Sequence, residues 1–380
     1  MENIQNKILE KKQLVSEEKQ PRASFLVINK KQILIRSTVL ALILVVAMLA
    51  ATFIAIANYK LTVFADSAGI EKKDIIQTLK TGWQQIPTET QNHKNLLILG
   101  LDSLETRGNS TPLTDSIMLV SINLKTGDVN TLPLPRDLWS EDYQAKINAL
   151  YTYGIDKYPN NPEKFPEEVI SDITSVPIHH TIVISMKTVS DLIDLVGGVE
   201  IKVEKGFVDE QFPRVDVDVT ITTNPNELYE TIEFKAGKQI MSGETALKYI
   251  RSRHGNNEQN TDNARSIRQQ AVINALARSI LSQKTMLNTR LLGKLYQYYL
   301  NNFASNLPPE EIISTGKKLL PIKKSLQLKN VYLDIYPDDP EGAIEHPPQY
   351  LYDGQWVYTI RNGQNFKKEI QQKLLDQKIK

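Results

Sequence analysis

From Ser37 to Tyr59 the chain carries no charged residue, a run of 23 positions. That is long enough to cross the ~30 Å hydrocarbon core of a bilayer with modest tilt. It follows 36 hydrophilic residues, and no small-residue cleavage pattern comes after it, so it reads as a retained transmembrane helix rather than a signal peptide. Residues 1–36 hold Lys7, Lys11, Lys12, Lys19, Arg22, Lys30, Lys31 and Arg36. By the positive-inside rule the N-terminus stays in the cytoplasm, and everything after Lys60 lies outside. The expected organisation is a cytoplasmic tail (1–36), a membrane helix (37–59), a stalk (60–93), a folded domain (94–285) and a C-terminal extension packed on or following it (286–380). The working part is extracytoplasmic, on a single-pass cell-membrane protein.

Composition removes several function classes. The 45 basic and 44 acidic residues leave a formal charge of +1, so a basic body binding nucleic acid is not supported, and no nucleic-acid partner is expected. There is no cysteine, which excludes disulfides, thiolate nucleophiles and zinc–thiolate sites. The five histidines (93, 179, 180, 254, 346) show no metal-ligand spacing.

Beyond residue 93 the pattern is that of a sheet covered by helices. AsnLeuLeuIleLeuGlyLeu (95–101) is apolar on both faces, as a buried strand is. SerIleMetLeuValSerIleAsn (116–123), the turn LeuLysThrGlyAsp and ValAsnThrLeuProLeuPro predict a hairpin. Helical patterns follow near 146–153 and 162–173, then a strand at 180–185, a helix at 188–196 ended by Gly197 and Gly198, and a further strand. Residues 208–235 read as an insertion or edge hairpin. A strand near 331–335 and a basic helix (366–380) close the chain. The fold class expected is α/β, a mixed β-sheet sandwiched by helices and preceded by one transmembrane helix.

Three places carry chemistry. Asp102, in GlyLeuAspSer, follows the first strand, and Asp115, in LeuThrAspSer, opens the second. Two acids brought side by side at strand ends can hold Mg²⁺, which needs only one or two protein carboxylates when phosphate and water supply the rest. Either acid alone also suits a turn, bonding its own backbone. Arg136, in LeuProArgAspLeuTrp, stands between a proline and an acid; its guanidinium fork can pair with Asp137 or grip a phosphate. The third place is Tyr249–Gln270, with Arg251, Arg253, Asp262, Arg265 and Arg268. Arg265 and Arg268 fall in the opening turns of a predicted helix, where the positive end of the dipole disfavours cations. Their placement makes sense if an anion sits between them and the helix N–H groups; a solvated basic helix end is the plainer alternative. Arginines, two acids and no Ser–His or Cys–His arrangement point to phosphoryl chemistry, in which positioning and charge neutralisation do most of the catalysis.

The succession GlyLeuAspSer, ThrAspSerIleMetLeuValSerIleAsn, LeuProArgAsp, LysIleAsnAlaLeuTyrThrTyrGly, LeuValGlyGlyVal and AlaLeuLysTyrIleArgSerArg…Asp…Arg…ArgGln resembles the LytR–CpsA–Psr family, also called cell envelope-related transcriptional attenuators. The resemblance runs from about Asn95 to about Leu281. It implies an Mg²⁺-dependent extracytoplasmic phosphotransferase that attaches a polyprenyl-pyrophosphate-linked glycopolymer to peptidoglycan. By motif, Asp102 and Asp115 would hold Mg²⁺. Arg136, Arg253 and Arg265 would bind phosphate oxygens, with Arg251, Arg268 and Gln269 close by. Asp262 would orient Arg265 or help activate the acceptor hydroxyl. An apolar tunnel for the lipid tail is implied too, at a place the sequence does not reveal. Two positions depart from the family pattern, Leu104 and Leu113, where arginines are usual; Arg107 is the residue placed to compensate. A non-catalytic lipid-binding regulator or scaffold, and a polyprenyl pyrophosphate hydrolase, remain as alternatives.

Overall fold

The computed structural model describes residues 30–101, 112–214, 217, 224–325 and 327–376. The chain forms two units, residues 1–59 and 60–380. Helix α1 (Lys30–Ala68) supplies the first unit. Its stretch Thr38–Ala68 is long and apolar enough to cross a membrane. Where the expected helix ends at Tyr59, α1 continues to Ala68. Lys60 is a good helix former, and the break comes only at Gly69, whose φ of 68° suits a residue without a Cβ.

The second unit is built on a six-stranded mixed sheet. Its first three strands are β1 (His93–Leu101), β2 (Thr114–Asn123) and β3 (Asp128–Leu134). The others are β4 (His180–Ser185), then β5 (Ala304–Ser305) and β6 (Gln327–Asn330). Their spatial order is β5-β4-β1-β2-β3-β6. The β2–β3 hairpin forms as predicted, with Ile117 opposite Leu134. β1 runs parallel to β4 and antiparallel to β2.

Alternation along β1 sorts the two faces. Leu97 and Leu99 are fully buried and join Ile117, Leu119 and Leu132 in one core. Helices α2 (Lys164–Thr174) and α3 (Gly363–Leu375) close that face through Phe165, Val169, Phe366 and Ile370. The opposite face, with Ile98 and Met118, is covered by α4 (Met186–Leu195), α5 (Gly243–Arg251) and α6 (Asp262–Ile280), whose own cluster includes Val189, Ile193, Ile250 and Val272. The segment read as an edge hairpin is one: Phe207–Pro213 pairs antiparallel with Tyr229–Phe234.

Both flanking segments are built into this body. Residues 286–380 supply β5, β6 and α3, and α3 sits in the core under the sheet. Residues 60–93 include a helix, Lys72–Gln84, that packs on the helix Pro309–Leu319. The approach is close because Gly82 has no side chain: a Cβ there would stand 2.7 Å from the Glu310 carbonyl oxygen and the Ile313 Cβ. The neighbouring Glu311 accepts from Lys94 Nζ at 2.5 Å, from the Thr88 N–H at 2.5 Å and from Gln85 Nε2 at 2.6 Å. Lys94 and Glu311 are 2% and 1% exposed, so each is the other's charged partner in place of water.

Burial pushes the Glu311 carboxyl up, but Lys94 and the Thr88 N–H outweigh it and hold the group below the usual glutamate range. A carboxyl held low stabilises the fold above its unfolded value of about 4.3, and that contribution is lost as pH falls through the folded value. Glu311→Ala leaves the Lys94 ammonium buried without its partner and is expected to cost about 3–5 kcal/mol near neutral pH. Urea unfolding of variant and parent measures this; the gap should narrow once pH falls below about 4.

Candidate functional site

The first local feature is an irregularity in β2. Gly100 pairs with Ser116, but Leu101 pairs with Thr114, so Asp115 is the extra residue of a β-bulge. Bulges re-aim side chains at the ends of strands, and this one turns the Asp115 carboxylate toward the arginines. Oδ1 accepts from Arg136 Nη1 at 2.7 Å, and Oδ2 from Arg253 Nη2 at 3.4 Å. Arg136 follows β3 across Pro135. Its Nε donates to Asp137 at 3.2 Å, and Lys146 holds the other oxygen of Asp137 at 2.9 Å. Arg136 thus pairs with Asp137, as its sequence position allows, and at the same time reaches a second acid.

Arg253 is placed by a residue that sequence reasoning passed over. Asp209, completely buried, accepts from Ser252 Oγ at 2.6 Å and from the N–H groups of Arg253 and His254 at 3.2 and 3.1 Å. It lies at a register shift in the 207–234 hairpin. The signal available was a lone acid among the apolar inward positions of a strand, at Asp209 between Phe207 and Phe212. Read only as an edge element, the hairpin concealed that it turns the loop leaving α5.

Helix α6 brings the rest. Thr261 caps it, accepting from the Ala264 N–H at 3.1 Å. Gln270 donates to both Thr131 oxygens, at 2.6 and 3.0 Å, and Asn274 donates to Asn330 at 2.5 Å. These bonds fix the rotation of α6 on the sheet. Arg265 and Gln269, four residues apart and therefore on one helix face, then line two clefts of mixed polar and apolar wall that share Asp115. One cleft adds Arg136, Ser266, Tyr332 and Tyr358; the other adds Arg251, Arg253 and His254. Tyr332 and Tyr358 come from the C-terminal segment, where the sequence pattern is too weak to mark them. Gln269 also lines a third cleft, small and apolar, between the sheet (Ile98, Gly100, Met118, Ile184) and the helices (Met186, Val189, Ile250, Val272). Gly100 helps hold it open, since a Cβ there would meet the Ser116 Cβ at 2.9 Å.

Arg268 requires a correction. Its guanidinium is not offered to an anion in these clefts: Nε donates to the Tyr249 carbonyl at 2.8 Å, Nη2 to the Ser252 carbonyl at 2.6 Å and Nη1 to Gln259 at 2.9 and 3.1 Å. It is 2% exposed, and Phe207 lies under it at 5.0 Å. The negative pole that answers this cation is the carbonyl end of α5 packed alongside, not a ligand.

The other predicted positions fall out as follows. Asp102, Leu104 and Arg107 lie outside the described residues. Asp262 is the first residue of α6, its side chain also outside them. Among the described residues no three His, Asp or Glu side chains gather as a metal cage. Asp115 fits as a single ligand: each oxygen accepts one hydrogen bond and retains a lone pair.

The chain matches the LytR_cpsA_psr family over residues 58–367. It belongs to that family. A curated relative from Bacillus cereus, named polyisoprenyl-teichoic acid–peptidoglycan teichoic acid transferase TagU, is 24% identical over 284 residues, 73% of this chain and 77% of its own. A protein of the same name from Enterococcus faecalis is 21% identical over 263 residues, 68% and 73% of the two chains. Among solved structures, B. subtilis TagV superposes with a TM-score of 0.53 at 21% identity, over 77% of this chain and all of TagV. TagT bound to LI-WTA gives 0.50 at 19% identity, over 77% and 95%. These structures share the fold of this LytR_cpsA_psr member, a mixed sheet between helices.

The two kinds of arginine should separate on substitution. Arg268→Met strips several buried carbonyls of their donor, at about 1–3 kcal/mol each, so urea unfolding should show a loss of at least about 3 kcal/mol. Arg253→Ala, at a half-exposed side chain, should stay within about 0.5 kcal/mol of the parent.

Proposed function

We propose that this protein is a membrane-anchored, extracytoplasmic phosphotransferase that moves a glycopolymer from a polyprenyl pyrophosphate carrier to peptidoglycan. The observation that carries the reading is the meeting, at Gln269, of two clefts lined by arginines and one lined by apolar side chains. A lipid pyrophosphate has those two halves. The family membership and the names of the TagU relatives support the same reaction class, and the apolar stretch Thr38–Ala68 supports attachment to the membrane in which such a donor resides.

In this reading the acceptor hydroxyl oxygen attacks the phosphorus that bears the glycan. A new phosphodiester bond forms, the bridging P–O bond of the pyrophosphate breaks, and polyprenyl phosphate leaves. Arg136 and Arg265 grip non-bridging oxygens, and Arg253 faces them across Asp115. Fixed guanidinium donors stabilise the charge that grows on these oxygens in the transition state. Arg251 and Gln269 line the clefts as further contacts. Asp262 is assigned, on the family pattern, to orienting Arg265 or receiving the acceptor proton. Asp115, with Asp102 by the same pattern, would hold Mg²⁺, which when bound supplies further charge neutralisation to the phosphates. The membrane helix would run with its N-terminus inside.

The test is transfer of a labelled glycan from a polyprenyl pyrophosphate donor to peptidoglycan by the full-length protein in membranes. Arg265→Ala and Arg136→Ala should each reduce the rate by about 10²–10³, the scale of losing one fixed transition-state donor, and a chelator should abolish transfer. If Arg265→Ala transfers as well as the parent, the site is elsewhere. Glycan released to water with none on peptidoglycan would make the protein a hydrolase.

A further inference from the structure

The helix Lys72–Gln84 presents a face that the body of the protein does not cover. Its inward residues are Ile75, which is buried, Thr78, which bonds Tyr296, and Gly82, which meets Glu310 and Ile313 of the helix Pro309–Leu319. On another face Ile76, Leu79 and Trp83 fall within about 60° of arc at 3.6 residues per turn, and Ile86 follows. These four side chains are 53%, 49%, 59% and 81% exposed. Lys72 lies in the same stripe and Lys73 and Lys80 along its edge, whereas Asp74 lies about 160° round from Ile76 at that spacing. Apolar residues with a tryptophan, edged by lysines of which Lys73 also pairs with the N-cap Glu71 at 2.7 Å, are the composition of a helix that lies in a lipid–water interface.

Connectivity favours the same partner. Only residues 60–71 separate Tyr59 from the start of this helix. Nine of them continue α1 and three link it to the next helix, a reach of about 24 Å at most, so a chain anchored by its apolar run limits how far the stripe can stand from the bilayer. The helix is also firmly attached to the body. Lys317 Nζ donates to the Trp83 and Gln85 carbonyls at 2.5 and 3.1 Å, and Gln85 and Thr88 bond Glu311, the partner of Lys94 in β1. We propose that this helix is a second membrane contact, with Ile76, Leu79, Trp83 and Ile86 at the acyl boundary and Lys72, Lys73 and Lys80 on anionic phospholipid headgroups. The inference rests on the membrane anchoring proposed above.

Because the chain has no cysteine, single nitroxide labels can be placed in the full-length protein through Leu44→Cys, Ile76→Cys, Leu79→Cys, Ile86→Cys and, as an exposed control, Gln355→Cys. The protein is reconstituted in vesicles of phosphatidylcholine and phosphatidylglycerol, and collision with oxygen is compared with collision with a water-soluble nickel chelate. The expected result is a several-fold fall in nickel collision and a rise in oxygen collision at 76, 79 and 86 relative to 355, with 44 deeper still. Labels at 76, 79 and 86 that meet nickel as freely as 355, while 44 reads as bilayer, overturn the interfacial helix and leave the anchor standing. Labels there shielded from both reagents would mean a protein contact, such as a second copy, and also overturn it. A label at 44 that reads as water removes the anchoring and this inference together.

Discussion

Strand β1 is covered on both faces, and much of the surrounding architecture follows from how it divides its side chains. Leu97 and Leu99 go to the core under α2 and α3, while Ile98 and Gly100 go to the apolar cleft under α6. A slip of one residue would exchange the two sets and fill the cleft. The ends of the strand are as different as its faces. At one end Lys94 is locked to Glu311 in a dry ion pair. At the other, the bulge opposite Leu101 turns out the Asp115 carboxylate. The C-terminal helices therefore act on the site although most of them do not touch it, by holding the strand from which the site is hung.

The site itself is a problem in charge balance. Arg136, Arg253 and Arg265 are brought toward one cleft region in which Asp115 is the shared acid. Asp137, which also lines that region, is bonded to Arg136 and to Lys146. Guanidinium forks that converge on one region of a partly desolvated cleft suit an anion with several oxygens, which they can meet with directed hydrogen bonds. The carboxylate keeps the arginines aimed before any ligand arrives, which reduces the ordering that binding must bring about.

Most of the sheet could be read from the sequence because its strands are long apolar runs punctuated by turn residues: 95–101, the 116–134 hairpin and 180–185 all lie where the pattern puts them. The same is true of Asp115, Arg136, Arg253, Arg265 and Gln269 as neighbours. What could not be read depends on contacts between elements distant in sequence. Arg268 obeys a rule about its own helix that the end of α5 overrides. Asp209 works through backbone N–H groups 44 and 45 residues on. Tyr332 and Tyr358 reach a cleft from short irregular segments. The apolar cleft is a space shared by a sheet and three helices, and no single stretch of chain encodes it.

The position of Gln269 ties these parts together. It is 8% exposed and borders all three clefts, with Arg265 one turn before it and Val272 nearly one turn after. Along this one face α6 thus passes from a cation through an amide to an aliphatic residue within about 10 Å of rise. An amphiphile whose charge begins where its hydrocarbon ends, as in the lipid pyrophosphate donor proposed above, matches that sequence of side chains. Because Gln270, the next residue, is bonded to Thr131 in β3, the junction between those ends is fixed against the sheet rather than left to the helix.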